Sequence, residues 1–181
     1  MKKIRRGLSR VFFHIARNLL APIELVNPRL FMRIYANMLS AYGINFVGSP
    51  RYISTKVRFD DFDLLTIGDR SVISKYVILL THDYSLTTGL IAIGEPPPTD
   101  IAIKRKICIG RNVFIGIGAI VLPGTHIGDD VIVGAGSVVK GSIASDSIVS
   151  GNPARKIAAI SERADRWRSM RDGPDANTDF E

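Results

Sequence analysis

An aliphatic side chain recurs at every sixth residue from Ile103 to Val139, through Ile109, Ile115, Val121, Ile127 and Val133. Glycine follows it at 110, 116, 128 and 134, and the fifth place of each block is small or β-branched: Ile107, Val113, Ala119, Thr125, Val131 and Ser137. A helix brings apolar residues back every three or four positions, and a half-buried strand every second one. A period of six fits neither, and hexapeptide repeats mark a parallel β-helix. The chain of such a coil turns a corner every few residues, so one apolar side chain per block is expected to point into the stack. Glycine is expected to give the turns their backbone freedom.

The same phase starts earlier. Ile67 to Val72 is one block, Ile73 and Leu79 follow at six-residue steps, and Ile67 lies 36 residues, a multiple of six, before Ile103. Val47, Ile53 and Phe59 are also six apart and suggest irregular first coils, interrupted by the acidic patch Asp60, Asp61 and Asp63. Between the tracts stands THDYSLTTGLIAIGEPPPTDI, where Gly89, Gly94 and prolines 96 to 98 break any strand. Segment 82–102 is therefore expected to be a loop leaving the solenoid, and loops on a rigid scaffold are where function tends to be placed.

Ahead of the repeats, Ile4, Leu8, Val11, Phe12, Ile15 and Leu19 fall on one helical face, with Lys2, Lys3, Arg5, Arg6, Arg10 and Arg17 around the other side. This basic amphipathic helix suits an anionic membrane surface, giving peripheral contact through residues 1–22. The competing expectation is that its apolar face docks on the protein or on a neighbouring subunit. Asn27-Pro28 reads as a helix cap followed by a first-turn proline, and Leu30, Phe31, Ile34, Tyr35 and Met38 continue at helical spacing until Gly43. The expected organisation is a helical segment 1–45, a β-helix domain 46–157, and a tail 158–181. In that tail Ile157 to Arg171 form a short helix and DGPDANTDFE is disordered.

The formal charge of +7 invites an anionic partner. Much of the excess sits in the first helix without any nucleic-acid motif, so nucleic acid is not the expected partner. No apolar run reaches transmembrane length, and the basic start has no long apolar core or convincing cleavage site, so a signal peptide is not expected. The single cysteine, Cys108, excludes an intramolecular disulfide framework and suits a reducing compartment. It is expected to be a small buried hydrophobe of the coil. The location these features favour is cytoplasmic, with the inner membrane face as the place of any peripheral contact.

The tract IGRNVFIGIGAIVLPGTHIGDDVIVGAGSVVKG, the ending SIVSGNPARKI and the THDYS segment together resemble the hexapeptide-repeat acyltransferases. Within them they are most similar to the O-acetyltransferases of maltose, galactosides, nodulation factors and exopolysaccharides. The resemblance covers roughly residues 64–157. It implies a left-handed parallel β-helix of triangular coils, each of three hexapeptides, although crossover chirality alone favours the right hand. It also implies a homotrimer with sites between neighbouring β-helices, acetyl-CoA as acyl donor, and a saccharide or glycolipid acceptor in surface polysaccharide synthesis. No metal is expected. Two departures stand out: Phe114 replaces a tryptophan common in relatives, and GSIASD replaces the familiar acidic-proline segment before the GNPA ending.

By that resemblance His82 is the catalytic base, an imidazole able to take a proton from an acceptor hydroxyl near neutral pH. Asp83, Tyr84 and Ser85 are candidates for the acceptor side. Asp83 is also the neighbouring carboxylate, although adjacent residues of an extended segment point opposite ways. On the donor side Gly118, Ala119, Gly136 and Ser137 occupy matching repeat positions where pantetheine needs small residues. Lys140, Arg155 and Lys156 are candidates for its phosphates, and Lys104, Arg105 and Lys106 read as a solvated basic face. Backbone N–H groups around Ile117 to Ala119 are candidate oxyanion donors. Acetylation of an amine or of serine is the alternative on this fold. A carbonic-anhydrase-like metal site would need three histidines, and only His82 and His126 lie in the solenoid. A non-catalytic solenoid would not need a histidine at the loop junction.

Overall fold

The computed structural model describes residues 2–174 and 176. Two helices come first: α1 (Lys2–Val26) and α2 (Pro28–Ala41). Asn27 caps α2 as its position next to Pro28 suggests, its Oδ1 accepting from the Leu30 N–H at 2.9 Å. Phe31, Met32, Tyr35 and Leu39 form the buried stripe of α2 and join the solenoid core. α1 docks differently from expectation: Phe13, absent from the expected apolar face, is buried, with Leu20 and Ile23 partly buried against the same core. Phe12, Ile15 and Leu19, which were expected to share one face, are exposed.

The rest of the chain is a parallel β-helix of three sheets. The first stacks Asn45–Val47, Leu65–Gly68, Ile107–Ile109, His126–Ile127 and Ser142–Ile143. The second stacks Tyr52–Ile53, Val72–Ile73, Phe114–Ile115, Val131–Val133 and Ser147–Gly151, and the third Arg58–Phe59, Ile78–Leu79, Ile120–Val121 and Val138–Val139. Regular coils repeat every 18 residues, Phe114 pairing with Ile132 and Ile120 with Val138. At the end the chain reverses, and Ala154–Ala158 runs antiparallel against Ser147–Gly151.

Two side chains per hexapeptide point inward. Ile109, Ile115, Val121, Ile127, Val133 and Val139 are buried, and so are the fifth-place residues Ile107, Val113, Ala119, Thr125, Val131 and Ser137. Each buried Val, Leu or Ile side chain contributes roughly 1.5–3 kcal/mol. The buried hydroxyls are satisfied by the coil itself: Thr125 donates to the Leu122 carbonyl at 2.7 Å, and Ser137 Oγ accepts from the Gly151 N–H at 3.2 Å. Ile103 falls outside this scheme, because it belongs to a hairpin at the base of the loop rather than to a coil.

The second-place glycines have another purpose than turn freedom. None of Gly68, Gly110, Gly116, Gly128 and Gly134 has a positive φ. A Cβ on Gly68 would lie 2.4 Å from the carbonyl carbon and oxygen of Gly110, and one on Gly110 2.7 Å from those of Gly128. At Gly68, Gly110, Gly116 and Gly128 the next coil's backbone passes through the space of a side chain, and at Gly134 the Ser150 side chain does. Positive φ belongs to fourth-place glycines, such as Gly118 (69°) and Gly136 (67°) at one corner, where the coil below carries Tyr76 at φ 62°.

Two further expectations change. Cys108 is half-exposed on the outer face of the first sheet, in register between Thr66 and His126. The C-terminal segment begins as the strand Ala154–Ala158, and the helix α4 spans only Ala164–Asp172. The expected disorder of DGPDANTDFE falls mostly outside the described residues.

Candidate functional site

The site forms where the third sheet turns toward the first and the chain leaves the coil. After Ile78–Leu79, His82–Asp83 pairs antiparallel with Ile103–Lys104, so the excursion starts and returns through a two-residue ladder. The return is also pinned by the Arg105 N–H, which donates to the Thr81 carbonyl at 2.9 Å. The excursion, expected as a plain loop, contains the helix α3 (Ser85–Ala92). Asp83 starts it, accepting from the Ser85 N–H at 2.7 Å and from its hydroxyl at 3.0 Å. Buried Thr87 ties the outgoing and returning arms by accepting from the Ile101 N–H at 2.8 Å.

His82 projects back over the preceding coil. Its Nδ1, shielded from solvent, faces Asp61 Oδ2 at 3.4 Å and Asp60 Oδ2 at 3.5 Å without an aligned hydrogen bond. The Tyr84 ring meets the imidazole edge-on at 5.6 Å. Beneath lies a fixed network. The buried Thr81 hydroxyl donates to Asp61 Oδ2 at 3.1 Å and accepts from the Asp61 N–H at 3.2 Å, while Lys104 Nζ reaches Asp61 Oδ2 at 3.0 Å. Partial burial pushes the Asp61 carboxyl up, but the hydrogen bonds from Lys104 and Thr81 and the Lys104 charge outweigh it and hold it below the usual range.

That balance gives a pH prediction. A carboxyl depressed in the fold stabilises it above the unfolded value of about 3.9 and loses that contribution as pH falls through the folded value. In Lys104→Ala the carboxyl loses the hydrogen bond and the charge that Lys104 supplies, and moves up from its depressed position. The stability that wild type gains from this carboxyl as pH rises through the acid range is then expected to be reduced, so Lys104→Ala falls below wild type toward neutrality and converges with it as pH falls. Urea midpoints measured from about pH 3 to pH 6 check this; identical acid limbs would contradict it.

Asp83 is not the partner of His82. Its carboxyl is fully engaged with Ser85, whose N–H and hydroxyl hold it below the usual range. It faces a cleft of about 590 Å³ lined by Ile103, Arg105, Leu122, Pro123, Gly124, Lys140 and Gly141. This cleft has an apolar floor and a basic rim, and it continues from the His82 hairpin along the later coils. Of the donor-side candidates, Lys140 lies there. Gly118 and Gly136 stack at the corner between the second and third sheets, and the side chains of Ala119 and Ser137 are buried in the core, leaving only backbone to meet a ligand. Arg155 and Lys156 lie on the terminal hairpin, the former donating to the Ala154 carbonyl and the latter to that of Asp146.

Sequence reasoning passed over Asp60, Asp61, Thr81 and Lys104. The pairing that brings them there shows only in the structure: Phe59 is in register with Leu79, so Asp60 and Asp61 follow it beside Leu80 and Thr81. Among the described residues no group of three or more His, Cys, Asp or Glu is placed to hold a metal ion.

Residues 109–141 match the family model described as bacterial transferase hexapeptide (six repeats). Over 172 residues the chain is 28% identical to WbbJ of Escherichia coli K12, a protein named as a candidate lipopolysaccharide biosynthesis O-acetyl transferase, covering 88% of this chain and 87% of that one. It is 36% identical to protein CapG of Staphylococcus aureus over 141 residues, 73% of this chain and 78% of the relative. Among solved structures it resembles a galactoside acetyltransferase in complex with coenzyme A, with TM-score 0.55, 26% identity, and coverage of 66% of this chain and 67% of that one.

Proposed function

Because the chain belongs to the hexapeptide-repeat acetyltransferases, we propose that it transfers the acetyl group of acetyl-CoA to a hydroxyl of a saccharide or glycolipid used in surface polysaccharide synthesis, with His82 as general base. The observation that carries this is the placement of His82 Nδ1 against Asp61 and Asp60, on the hairpin whose next residue, Asp83, lines a basic-rimmed cleft. Carboxylates facing Nδ1 favour the proton there and leave Nε2 as the basic nitrogen. Long, imperfect contacts are common in a site without substrate.

The donor suits the cleft. Arg105 and Lys140 offer positive charge for phosphates, and Leu122, Pro123 and the adjoining glycines offer an apolar, side-chain-poor wall for the pantetheine arm. In the reaction His82 takes the acceptor hydroxyl proton as that oxygen attacks the thioester carbonyl, and returns it to the departing sulfur of CoA. The acceptor hydroxyl meets Nε2, on the side of the ring turned away from Asp60 and Asp61. Thiol release from acetyl-CoA, followed while sugars and lipid-linked saccharides are offered, tests the reading. Release stimulated by amines or serine but by no saccharide would reject the saccharide acceptor.

We propose further that the working unit is a homotrimer, located in the cytoplasm and meeting the inner membrane face peripherally through residues 1–22. Two outer faces of the triangular coil support the trimer. Val72, Phe114 and Ile132 form an apolar row on the second sheet, and Ile78, Ile120 and Val138 another on the third, whereas the first presents Thr66, Cys108, His126 and Ser142. Ile132→Lys is expected to convert a sedimenting trimer into monomers; an unchanged trimer mass would exclude this face from the contact.

A further inference from the structure

α1 leaves an apolar row uncovered. Phe12 (63% exposed), Ile15 (52%), Leu19 (72%) and Val26 (87%) are spaced by three, four and seven residues and share one helical face, while Phe13 on a different face docks the helix. Leu25 (88%) adds to the row at the corner where α1 meets α2. Across that corner Arg29 and Arg33, one turn apart on α2, line an open concavity of about 440 Å³ with Asn27 and Leu30.

The charge around this surface is one-sided. Residues 1–59 contain eleven Lys and Arg and a single acid, Glu24, whereas the remainder contains thirteen basic and sixteen acidic residues. Glu24 is occupied, accepting from the Tyr52 hydroxyl at 2.5 Å. A second copy brought to this face would set cation against cation, which costs association energy. A bilayer with anionic headgroups would receive the apolar row at its acyl boundary and the arginines at its phosphates. Among the described residues no helix is long and apolar enough to cross a membrane, so the surface fits lying on one.

We propose that the exposed row of α1, its corner at Leu25 and Val26, and the Arg29–Arg33 pair of α2 form one docking surface for an anionic lipid bilayer. It deepens, and rests on, the reading of an enzyme that meets a membrane-borne acceptor, and it extends the contact beyond residues 1–22 to α2. The surface brings the enzyme to the lipid and leaves sugar selection to the His82 site.

The test uses full-length protein sedimented with vesicles of phosphatidylcholine alone or mixed with phosphatidylglycerol, with no acetyl transfer in the readout. Failure to find a saccharide acceptor would therefore leave this result standing, and the reverse. Wild type is expected to bind only the anionic vesicles and to release as salt rises. Leu19→Glu/Val26→Glu and, separately, Arg29→Glu/Arg33→Glu are expected to weaken binding by roughly tenfold or more. A cooperative melt confirms that each variant is folded, and Arg29→Glu/Arg33→Glu carries the test if Leu19→Glu/Val26→Glu is not. Equal binding to both vesicle types, or unchanged binding by the folded variants, would overturn the proposal. A changed number of chains in Leu19→Glu/Val26→Glu would overturn it in favour of a second copy.

Discussion

His82→Ala is expected to slow acetyl transfer by ~10²–10⁴-fold, the usual contribution of a positioned general base, while acetyl-CoA still binds. The separation follows from where the groups sit. His82 faces the preceding coil and its carboxylates, whereas the cleft assigned to the donor is lined by Arg105, Lys140 and the turns at Leu122 to Gly124 and Gly141. Turnover measured by thiol release and donor binding measured by calorimetry should therefore diverge in the variant. Asp61→Asn should give a smaller loss, since it removes an orienting charge but leaves the imidazole. Full transfer by His82→Ala would reject His82 as base, and loss of donor binding would show that it belongs to the cleft wall.

The second large effect concerns the fold. Gly68→Ala is expected to destabilise the protein by ~1–3 kcal/mol, the range for forcing extra atoms into packed space, and toward its upper end. The added carbon would meet the Gly110 carbonyl at 2.4 Å, and backbone cannot rotate aside as a side chain can. Gly89→Ala provides the internal comparison. It lies inside α3 with nothing within 4 Å of the added carbon, so it should stabilise by up to ~1 kcal/mol. Urea unfolding of both variants against wild type checks the pair. Equal midpoints would mean that the coils separate easily, contrary to the stacking described above.

The regular part of this fold was readable because a coil of three hexapeptides writes its period directly into the chain. Ile109 through Val139 went to the core as spaced, and the fifth-place residues joined them, giving two inward side chains per block where one was expected. The Asn27-Pro28 cap was local and equally legible. The carboxylates at His82 were hidden by an irregular coil: Phe59 pairs with Leu79, twenty residues on, so stepping by 18 from His82 misses Asp60 and Asp61. The sequence offered Asp83 as the adjacent acid, yet chain neighbours in a strand diverge, and the carboxylate beside an imidazole came from another coil. For α1, periodicity identified an apolar face but not what it meets. Phe13 docks because Tyr42, at the end of α2, and Phe62, in the turn before Leu65–Gly68, meet its ring at 5.1 and 5.0 Å, a tertiary fact. The base of the excursion escaped notice too, since two ladder pairs and an eight-residue helix leave little periodic trace.

The two ends of the coil stack differ from its middle. A parallel β-helix left bare would offer unpaired strand edges and an open core at each end, a template for joining other molecules end to end. Here Phe31, Met32, Tyr35 and Leu39 of α2 plug the first coil, and the reversed strand Ala154–Ala158 lies along the edge of the last sheet strand. These stoppers keep one stack from continuing into another. Deleting the helices to study the catalytic coils would therefore open a polymerising end, and a filament is the expected product of such a truncation.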